Sequence, residues 1–438
     1  MNWPLPFAFL VASTALLQPG SSQPTTGGEH AAVRPWLDRL ARLPDAPIAL
    51  SAPTGAKRCT QRRHLVAREM GEGLLILEAG ESSDGRFRAA DDFHWLTGVA
   101  VPGAILVLEA SAGRLARERL YLPAFDARHE LWNGPRLAPG SAASTATGIA
   151  DTRPLSQFEF DAHTLVTEAD RVAGSGPRAH SVSAAAGVKL ERERQWFKDP
   201  QSVKDAGEIA AVRAAVDITQ ASLAEAFAVA VPGAWEFTVE AVVEAGFRRR
   251  GAQGPAFSSI CGSGPNTCYL HYRDNQRQLE AGDLLIVDVG AKFQYYCSDL
   301  TRTIPVNGKF TPRQREIYEV VYEASRMAAS LLKPGAKMRE VHLATEKFLA
   351  KRGFDRNYFP HSVGHGVGLR VHDFPWKEDV LRPGMIVTIE PGLYLPKESL
   401  GIRIEDDYLI TAEGAELLSD DLPSHPDDIE ALLAALRE

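Results

Sequence analysis

The chain has 438 residues, of which 45% are hydrophobic and 24% are charged, a composition typical of globular proteins with room for two or three domains. A formal net charge of -8 gives no electrostatic basis for binding nucleic acid or an anionic membrane, so both are excluded as partners of the mature protein. The longest basic run, Arg248 to Arg250, ends a helical pattern and predicts a solvated helix terminus.

The first residues resemble a secretory signal. An apolar stretch from about Leu5 to Leu17 is followed by small and polar residues, so residues 1–22 are predicted to be a signal peptide. This stretch is too short to span a bilayer, and no other segment is long and apolar enough to do so. We therefore expect a periplasmic or secreted protein. A cytoplasmic location is the alternative, since no Lys or Arg precedes the apolar core and no clean A-x-A site follows it.

The four cysteines do not suggest a metal site. None forms a C-x-x-C pair, and their spacing does not fit a zinc finger. Buried free thiols are the prediction for Cys59, Cys261, Cys268 and Cys297. If the protein is exported, one disulfide is the alternative, with a pairing that the spacing does not assign.

Residues 30–180 are predicted to form a mixed α/β domain. Short apolar runs such as GLLILEAG and AILVLEA alternate with helical segments, of which TGAKRCTQRRHLVAREM is the longest. Polar stretches of small residues near Gly140–Ser144 and Ala173–Pro177 predict loops.

Residues 195–438 are predicted to form a second domain of the α+β class. Ile209, Val212, Val216, Thr219 and Leu223 recur at helical spacing, which predicts a helix with one packed face. After Pro255 the chain becomes rich in strands, interrupted by two long helical regions, TPRQREIYEVVYEASRMAASLL and KMREVHLATEKFLAKRG. The absence of a G-x-G-x-x-G motif or a P-loop argues against a nucleotide-binding parallel sheet.

The segment HSVGHGVGLRVHD, from His361 to Asp373, combines three histidines with three glycines. His361 and His365 are four residues apart, as on one face of a zinc-binding helix. However, each glycine weakens a helix interior by roughly 0.5–1 kcal/mol, and no Glu follows His361. The segment is therefore predicted to be a bent loop that runs into a short strand, LRVHD. Any metal ligands besides its own must come from elsewhere in the chain.

Four acidic residues interrupt apolar strand patterns: Asp288 in LLIVDVG, Asp299 in YYCSDLTRT, Glu390 in MIVTIEPG and Glu405 in GIRIEDD. A buried, unpaired carboxylate must either neutralise or find a cation. Asp288 and Asp299 are eleven residues apart, so that they can face each other across a hairpin. Four carboxylates with one imidazole suit two hard divalent ions rather than a Cys/His zinc cage, since two divalent cations nearly cancel the charge of the acids. The set predicts a dinuclear metal site.

These motifs carry a resemblance to a known family. The set D288-V-G, D299-L-T-R-T, H365-G-V-G-L-x-V-H-D, I-E390-P-G and G-I-R-I-E405-D-D resembles the metallopeptidases that include Xaa-Pro aminopeptidase (aminopeptidase P), prolidase and methionine aminopeptidase. FSSICGSGPNTCYLHY and DDFHWLTGVAVPGAILVL are similar to aminopeptidase P, the second to its N-terminal domain. The resemblance covers nearly the whole chain from about residue 35. It implies a pita-bread catalytic domain after the α/β domain.

The resemblance also implies a role for each matching residue. Asp288 would bind one metal ion, Asp299 and Glu405 would bridge two ions, and His365 and Glu390 would bind the other. Mn²⁺ is the expected metal, with Co²⁺, Zn²⁺ and Mg²⁺ as alternatives. The remaining predicted catalytic residues are the pocket histidines His271, His361 and His372, and Arg403, which would orient the carboxylates.

The implied activity is hydrolysis of the bond between an N-terminal residue and a following proline. A hydroxide that bridges the two metals would attack the peptide carbonyl, His372 would stabilise the oxyanion, and Glu390 would carry the proton to the leaving nitrogen. Arg370, an unusual residue at its position, would bind a substrate carboxylate or point to solvent. The alternatives are an Xaa-Pro dipeptidase and, from another class, an inert peptide-binding module of the same fold. Relatives form dimers or tetramers, so a homo-oligomer is expected.

Overall fold

The computed structural model describes Asp38, residues 54–82 and residues 86–438. The chain divides into two compact units. The N-terminal unit contains the described residues from 54 to 211 and the segment Gly368–Pro375, and the C-terminal unit contains Val212–Val367 and Trp376–Glu438. The predicted signal peptide lies outside the described residues. Within them, none of the helices combines the length and the hydropathy that crossing a bilayer requires.

The N-terminal unit is built on one six-stranded sheet. Its strands are β1 (Gly73–Glu78), β2 (Ile105–Ser111), β3 (Arg114–Leu122), β4 (Thr152–Pro154), β5 (Val172–Ser175) and β6 (Leu190–Glu191). Its helices are α1 (Ala56–Met70), α2 (Asp91–Thr97), α3 (Ala127–Asn133), α4 (Ser141–Thr147), α5 (Phe158–Glu168), α6 (Pro177–Ala185) and α7 (Arg194–Ser202). The strand order is β4-β3-β2-β1-β5-β6, with β1, β2 and β3 antiparallel and the other neighbours parallel. The predicted mixed α/β character is confirmed.

The core of this unit forms where the sheet meets α5 and α6. All six residues of β1 are buried, as the continuous apolar run GLLIL requires, and Ile76 packs in one cluster with Val107 of β2. Phe158 and Val166 of α5 and Val182 of α6 belong to the same cluster. Burying side chains of this size contributes about 1.5–3 kcal/mol each, which makes the sheet a rigid support for the loops around it.

The segment Gly368–Pro375 does not contain the strand predicted for LRVHD. The Asp373 side chain accepts a hydrogen bond from Leu369 N at 3.0 Å, and Gly368 N donates to Arg370 O at 3.1 Å, so the backbone is bent. The buried Lys204 ammonium fixes the end of the segment by donating to Phe374 O at 2.8 Å. The prediction was wrong because a side chain captured the backbone amide that a strand would have used.

Arg370 does not have the solvent-facing role that the sequence offered as one alternative. Its guanidinium donates to Asp92 Oδ2 at 2.6 Å, and both residues belong to the N-terminal unit. The Arg370 side chain is 25% exposed and that of Asp92 is 8% exposed. Arg370 is thus occupied by an internal ion pair and does not point freely into solvent.

The C-terminal unit is an α+β assembly, as predicted. Its strands are β7 (Gly254–Pro255), β8 (Ile260–Ser263), β9 (Leu284–Val289), β10 (Ala291–Phe293), β11 (Tyr296–Cys297), β12 (Leu300–Pro305), β13 (Ile386–Ile389), β14 (Gly392–Leu395), β15 (Leu400–Arg403), β16 (Asp406–Ile410) and β17 (Ala415–Leu417). Its helices are α8 (Ala206–Val229), which starts within the N-terminal unit, α9 (Glu236–Arg249), α10 (Pro312–Ser330), α11 (Met338–Ala350) and α12 (Pro426–Arg437). The strands form small sheets, β11-β10-β7, β12-β9-β8, β13-β16-β17 and β14-β15.

Two details of this unit bear on the sequence predictions. Arg248 and Arg249 are exposed at the end of α9, as predicted, but Arg250 is buried and donates to Glu225 Oε1 at 2.7 Å. The run is therefore solvated only in part. All four cysteines have free thiols, three of them buried and Cys268 half-buried, as the sequence predicted.

Strand register brings distant acidic residues together. Asp288 of β9 pairs with Thr301 of the antiparallel β12, and Thr301 also forms a bridge with Glu405, which lies between β15 and β16. Ile389, the last residue of β13, pairs with Asp406 of β16. The ends of these strands converge, so residues separated by more than a hundred positions share one small volume.

Candidate metal centre

The converging strand ends create a cluster of one imidazole and several carboxylates within the C-terminal unit. His365 Nε2 lies 3.4 Å from Asp299 Oδ2, 3.4 Å from Glu390 Oε1 and 4.0 Å from Glu405 Oε1. One ligand atom from each of Asp299, His365 and Glu405 falls within 4.8 Å of the other two. This spacing allows a single cation to contact all three residues.

The remaining predicted ligand, Asp288, reaches the same cluster from β9. Its charge is among the causes that raise the pKa of Asp299, Glu405 and Glu390, so it faces these groups closely. Arg403 Nη2 donates to Asp288 Oδ2 at 2.6 Å. The structure thus brings together all five residues that the sequence analysis selected as ligands.

The chain holds these acids in place through local backbone geometry. In the hairpin between Asp288 and Asp299, Gly290 lies directly against the returning strand, where a Cβ atom would lie 1.8 Å from Ser298 O. Only glycine permits this approach. Beyond the hairpin, Asp299 N donates to Asp407 Oδ2 at 3.0 Å, and Thr301 Oγ1 donates to Glu405 Oε2 at 2.7 Å. The carboxylates are therefore fixed before any ligand binds, which is the arrangement expected of a preorganised site.

The glycines around His365 serve the same purpose. A Cβ at Gly364 would lie 2.1 Å from Thr388 O, so glycine lets this segment run directly against β13. His365 N donates to Thr388 Oγ1 at 3.1 Å. The His365 Nδ1 lies 3.2 Å from Gly366 O, and because a carbonyl oxygen only accepts, Nδ1 carries a proton there. The lone pair on Nε2 is then available to a metal ion between the acids.

The acids strongly perturb one another. Burial raises the pKa of Asp299 and of Glu405 well above the ordinary range, and the neighbouring carboxylates raise each further. Burial also raises the pKa of Glu390 to about 6 and the pKa of Asp407 to about 8. So many carboxylates in one buried space cannot all be ionised unless cations lie between them. Without cations, some of them must be protonated.

The donor set fits divalent metal ions. Asp288 Oδ1 and Asp299 Oδ1 are buried, and neither atom has a hydrogen-bond partner within residues 54–82 and 86–438. Unsatisfied buried oxygens cost free energy unless a ligand completes them. Oxygen donors with a single neutral imidazole are the combination preferred by hard cations such as Mn²⁺ or Mg²⁺.

A directed hydrogen-bond chain connects the cluster to His361. Arg403 Nη1 donates to Tyr394 OH at 2.8 Å, and Tyr394 OH lies 3.0 Å from His361 Nε2. His361 Nδ1 lies 2.8 Å from Ser362 O, so the proton is on Nδ1, and Nε2 accepts from the tyrosine. Burial, with the charge of Arg403, lowers the pKa of His361 to about 3, so the ring is neutral. His361 Nδ1 is 3.7 Å from Glu390 Oε2.

The other two predicted pocket histidines are placed differently. His271 is exposed, and its charge affects the pKa of His361, so that the two rings are near each other. His372 is exposed and belongs to the segment of the N-terminal unit described above. Their roles in substrate binding stay predictions.

Sequence reasoning missed Tyr394 in the cluster and one residue that supports it, and it left Asp407 as a turn or supporting residue. Asp407 receives the amide of Asp299, and Tyr394 connects Arg403 to His361. The run of three acids that starts at Glu405 inside a strand-rich region was the available signal for Asp407. Tyr394, in the strand pattern GLYL, gave none. The supporting residue is Glu236 of α9.

Glu236 organises the loop that carries His271. It is fully buried, and its Oε1 accepts hydrogen bonds from Ser263 N, Ser263 Oγ and Asn266 Nδ2 at 2.7, 2.7 and 3.1 Å. Its Oε2 accepts from Tyr272 OH and Arg277 N, each at 2.8 Å. One carboxylate thus anchors the chain both before and after His271.

We expect Glu236→Gln to lower the free energy of unfolding by about 1–3 kcal/mol. The amide that replaces Oε2 is itself a donor and faces the Arg277 N–H, leaving that buried amide without an acceptor. Chemical denaturation of both proteins checks this. Glu240→Gln on the same helix is the control, because Glu240 is half-buried and its side chain makes no hydrogen bond to residues 54–82 or 86–438; an equal loss in both variants would contradict the anchoring role.

Two family models match the chain. The model described as "Metallopeptidase family M24" matches residues 210–412, and "Aminopeptidase P, N-terminal domain" matches residues 59–173. The Xaa-Pro aminopeptidase of Escherichia coli is 33% identical over 431 residues, which cover 86% of this chain and 98% of the relative. Xaa-Pro aminopeptidase 1 of Streptomyces coelicolor is 32% identical, covering 89% of each chain. A Xaa-Pro dipeptidase of Pyrococcus horikoshii is 40% identical, but the match covers only 51% of this chain and 64% of the relative.

Solved structures give the same result. Proline aminopeptidase P II from Yersinia pestis superposes with a TM-score of 0.79 at 32% identity, covering 87% of this chain and 100% of the other. A variant of Escherichia coli aminopeptidase P in complex with substrate has a TM-score of 0.79 at 30% identity, with coverage of 88% and 99%. The chain therefore belongs to the aminopeptidase P and prolidase family of metallopeptidases, with an aminopeptidase P N-terminal domain and a pita-bread catalytic domain.

Proposed function

We propose that this protein is a metal-dependent Xaa-Pro aminopeptidase, which hydrolyses the bond between an N-terminal residue and a following proline. The observation that carries the proposal is the buried cluster around His365, whose carboxylates include two buried oxygens without a hydrogen-bond partner among the described residues. The full-length similarity to proteins named Xaa-Pro aminopeptidase supports the substrate class.

We assign the metal ligands as the sequence predicted them. Asp288 would hold one divalent ion, Asp299 and Glu405 would be shared between two, and His365 with Glu390 would hold the second. Mn²⁺ is the proposed physiological ion, because oxygen-rich sites with one imidazole accept it readily. When bound, such ions supply a water whose pKa is lowered towards neutrality, and they polarise the peptide carbonyl.

The protein residues around the ions would position substrate and protons. Glu390 lies between His365 and His361, at 3.4 and 3.7 Å, and is the candidate for carrying a proton to the leaving nitrogen. The neutral His361 is held in one tautomer by Tyr394 and can line the leaving-group pocket without adding charge. We assign His372 to hydrogen bonding with the developing oxyanion and His271 to the pocket wall.

Proline after the scissile bond explains why a dedicated site is needed. An X-Pro bond is a tertiary amide with no N–H and a fixed ring, so peptidases that bind the substrate N–H reject it. A site that positions the carbonyl and the amino terminus, and does not require that N–H, accepts it. Export and a homo-oligomeric state remain part of the proposal.

An Xaa-Pro dipeptidase is the second candidate, favoured by the 40% identity to the Pyrococcus horikoshii protein. That match spans about half of this chain, whereas the aminopeptidases match both the N-terminal and the catalytic part. An inert peptide-binding protein of the same fold is the candidate from another class. The intact set of five ligand residues argues against it.

The deciding experiment is reconstitution of metal-free protein with Mn²⁺, Co²⁺, Zn²⁺ or Mg²⁺, followed by assays on Ala-Pro, Ala-Pro-Ala and Ala-Ala-Ala. We expect hydrolysis of the tripeptide with proline, little of Ala-Ala-Ala, and about two metal ions per chain by elemental analysis. Activity on Ala-Pro alone would favour the dipeptidase. A metal-loaded protein that cleaves none of these peptides would support the inert binding protein.

A further inference from the structure

A cavity of about 350 Å³ lies in the C-terminal unit, on the side of His361 where α11 packs. The lining side chains on which the inference depends are Arg339, His342, Glu346, Arg356, His361 and Lys377. A cavity of this volume is within the range that binds small ligands. None of these residues except His361 belongs to the metal cluster.

The cavity is positively charged although the chain as a whole carries a net charge of -8. Three cationic side chains line it, against the single lining carboxylate of Glu346, and Arg339 also forms an ion pair with Glu378 at 3.4 Å. Arg356 Nε lies 2.9 Å from Glu346 Oε1, and His342 Nε2 is 3.4 Å from the same oxygen. The Lys377 ammonium has no ion-pair partner within the described part of the chain, so its charge is uncompensated. An anion is the complementary ligand.

His342 in the wall adds no charge of its own, because burial lowers its pKa below the ordinary value. His342 Nδ1 is buried and lacks a hydrogen-bond partner among residues 54–82 and 86–438. Because a neutral His342 that directs its Nε2–H towards Glu346 has only a lone pair on Nδ1, recognition of an anion in this cavity falls to the cationic side chains.

The position of the cavity relates it to the peptide substrate. His361 forms part of its wall and also lies 3.7 Å from Glu390 in the catalytic cluster. A peptidase that removes one residue has only that residue before the scissile bond, so the rest of the peptide lies on the leaving side. Each extended residue spans about 3.3–3.6 Å, so proline and one further residue reach about 7 Å from the cluster. A tripeptide that leaves the cluster on the side of His361 would therefore end beside this cavity.

We propose that this cavity binds a carboxylate on the residue that follows proline, either the C-terminal carboxylate of an Xaa-Pro-Yaa tripeptide or an acidic side chain at Yaa. The inference rests on the proposed function, because it takes the direction of the peptide from it. The cations that act are Arg339, Arg356 and Lys377. Arg370, which the sequence suggested for this task, is engaged by Asp92 instead.

The kinetic test compares Ala-Pro-Ala with its C-terminal amide in the metal-loaded enzyme. We expect kcat/KM to be about tenfold higher for the free acid, mainly through KM, as for a hydrogen-bonded charge contact. In the double variant Arg356→Gln/Lys377→Gln the ratio should fall towards one. Lys351→Gln, at the C-terminal end of α11 and outside the cavity, should leave the ratio as it is in the wild type.

Further peptides distinguish the sources of the carboxylate. If an acidic side chain is accepted, Ala-Pro-Glu amide should recover the advantage that Ala-Pro-Ala amide lacks, and the double variant should lose it. Equal rates for acid and amide in the wild type, or a ratio that survives the double variant, would overturn the proposal. An advantage confined to Glu-Pro-Ala amide would also overturn it, because the cavity would then hold the first residue.

A binding measurement keeps the inference separate from the proposed activity. Calorimetric titration of Pro-Leu and Pro-Leu amide into the metal-loaded protein requires no turnover. We expect the wild type to bind Pro-Leu about tenfold more tightly than Pro-Leu amide. The double variant should bind the two peptides with nearly equal affinity. If no peptide is hydrolysed but this difference holds, the proposed function fails while the carboxylate site stands. Equal affinities in the wild type reject the site.

Discussion

The Asp299→Asn protein should lose metal-dependent hydrolysis, with kcat/KM on Ala-Pro-Ala reduced by about a thousandfold or more. The substitution keeps the shape of the side chain but removes one of the two carboxylates proposed to be shared by the ions. The ions, which would lower the pKa of the attacking water, should therefore bind more weakly. Asp299 is central in the cluster, since its Oδ2 lies 3.4 Å from His365 Nε2 and its other oxygen is buried without a partner in the described residues. Peptide assays together with elemental analysis measure the effect.

The same variant should be more stable than the wild type when both lack metal. Burial and the neighbouring carboxylates raise the pKa of Asp299 well above its ordinary value, so its ionisation destabilises the metal-free fold, and a neutral amide should recover about 1–3 kcal/mol. With metal at a hundred times its Kd, the wild type should gain about 2.7 kcal/mol per site and the order should reverse. Thermal denaturation with and without Mn²⁺ tests this crossover.

Asp170→Asn is the control for both effects, because Asp170 is exposed in the N-terminal unit. It should change neither activity nor the response to metal. If Asp299→Asn retained full metal content and activity, the assignment of Asp299 as a shared ligand would be wrong. If it merely unfolded, circular dichroism of the metal-free protein would reveal that directly.

Replacement of Arg403 by methionine should have the second largest effect. Arg403 is 3% exposed and donates to Asp288 Oδ2, Tyr394 OH and, at 3.3 Å, Thr301 Oγ1. Removing one partner of a buried ion pair leaves the other uncompensated, which costs about 3–5 kcal/mol. Activity should fall by about 10- to 100-fold, because Asp288 and His361 are no longer held in their orientations. Chemical denaturation and kinetics on Ala-Pro-Ala provide both measurements.

Two further variants serve as comparisons for the Arg403→Met result. Arg403→Lys keeps the charge, but one ammonium cannot reproduce the planar contacts to both Asp288 and Tyr394, so recovery should be partial. Arg313→Met removes an exposed arginine that pairs with Glu398 at 2.9 Å, and should cost at most about 1 kcal/mol. Equal losses in Arg313→Met and Arg403→Met would show that burial of the ion pair is not what matters.

Much of the catalytic site could be predicted because its residues break a local pattern. Asp288 lies within a fully apolar run, and Asp299 follows at a distance that suits a hairpin, so the pairing of β9 with β12 could be inferred from sequence alone. Glu390 and Glu405 violate strand patterning in the same way. A carboxylate at an apolar position is costly wherever it occurs, which makes its presence informative without knowledge of the fold.

What the sequence could not predict depends on partners far away in the chain. LRVHD has the alternation of a strand, yet the adjoining Phe374 O is held by Lys204, 170 positions away. Arg250 is the third of three arginines in a row, but its burial depends on Glu225 of α8. Tyr394 gains its importance from Arg403 and His361, which no local spacing reveals. Such contacts are set by tertiary packing, which a single sequence read by periodicity does not contain.

The bridge between Thr301 and Glu405 also constrains when the site can form during synthesis. The hairpin of Asp288 and Asp299 can close as soon as it leaves the ribosome, but its two acids lack Glu405 until about a hundred further residues have been translated. An ion therefore has no complete set of ligands in a nascent or truncated chain. Metal binding would therefore occur late in synthesis, and peptidase activity would arise only in a finished C-terminal unit and not in growing chains.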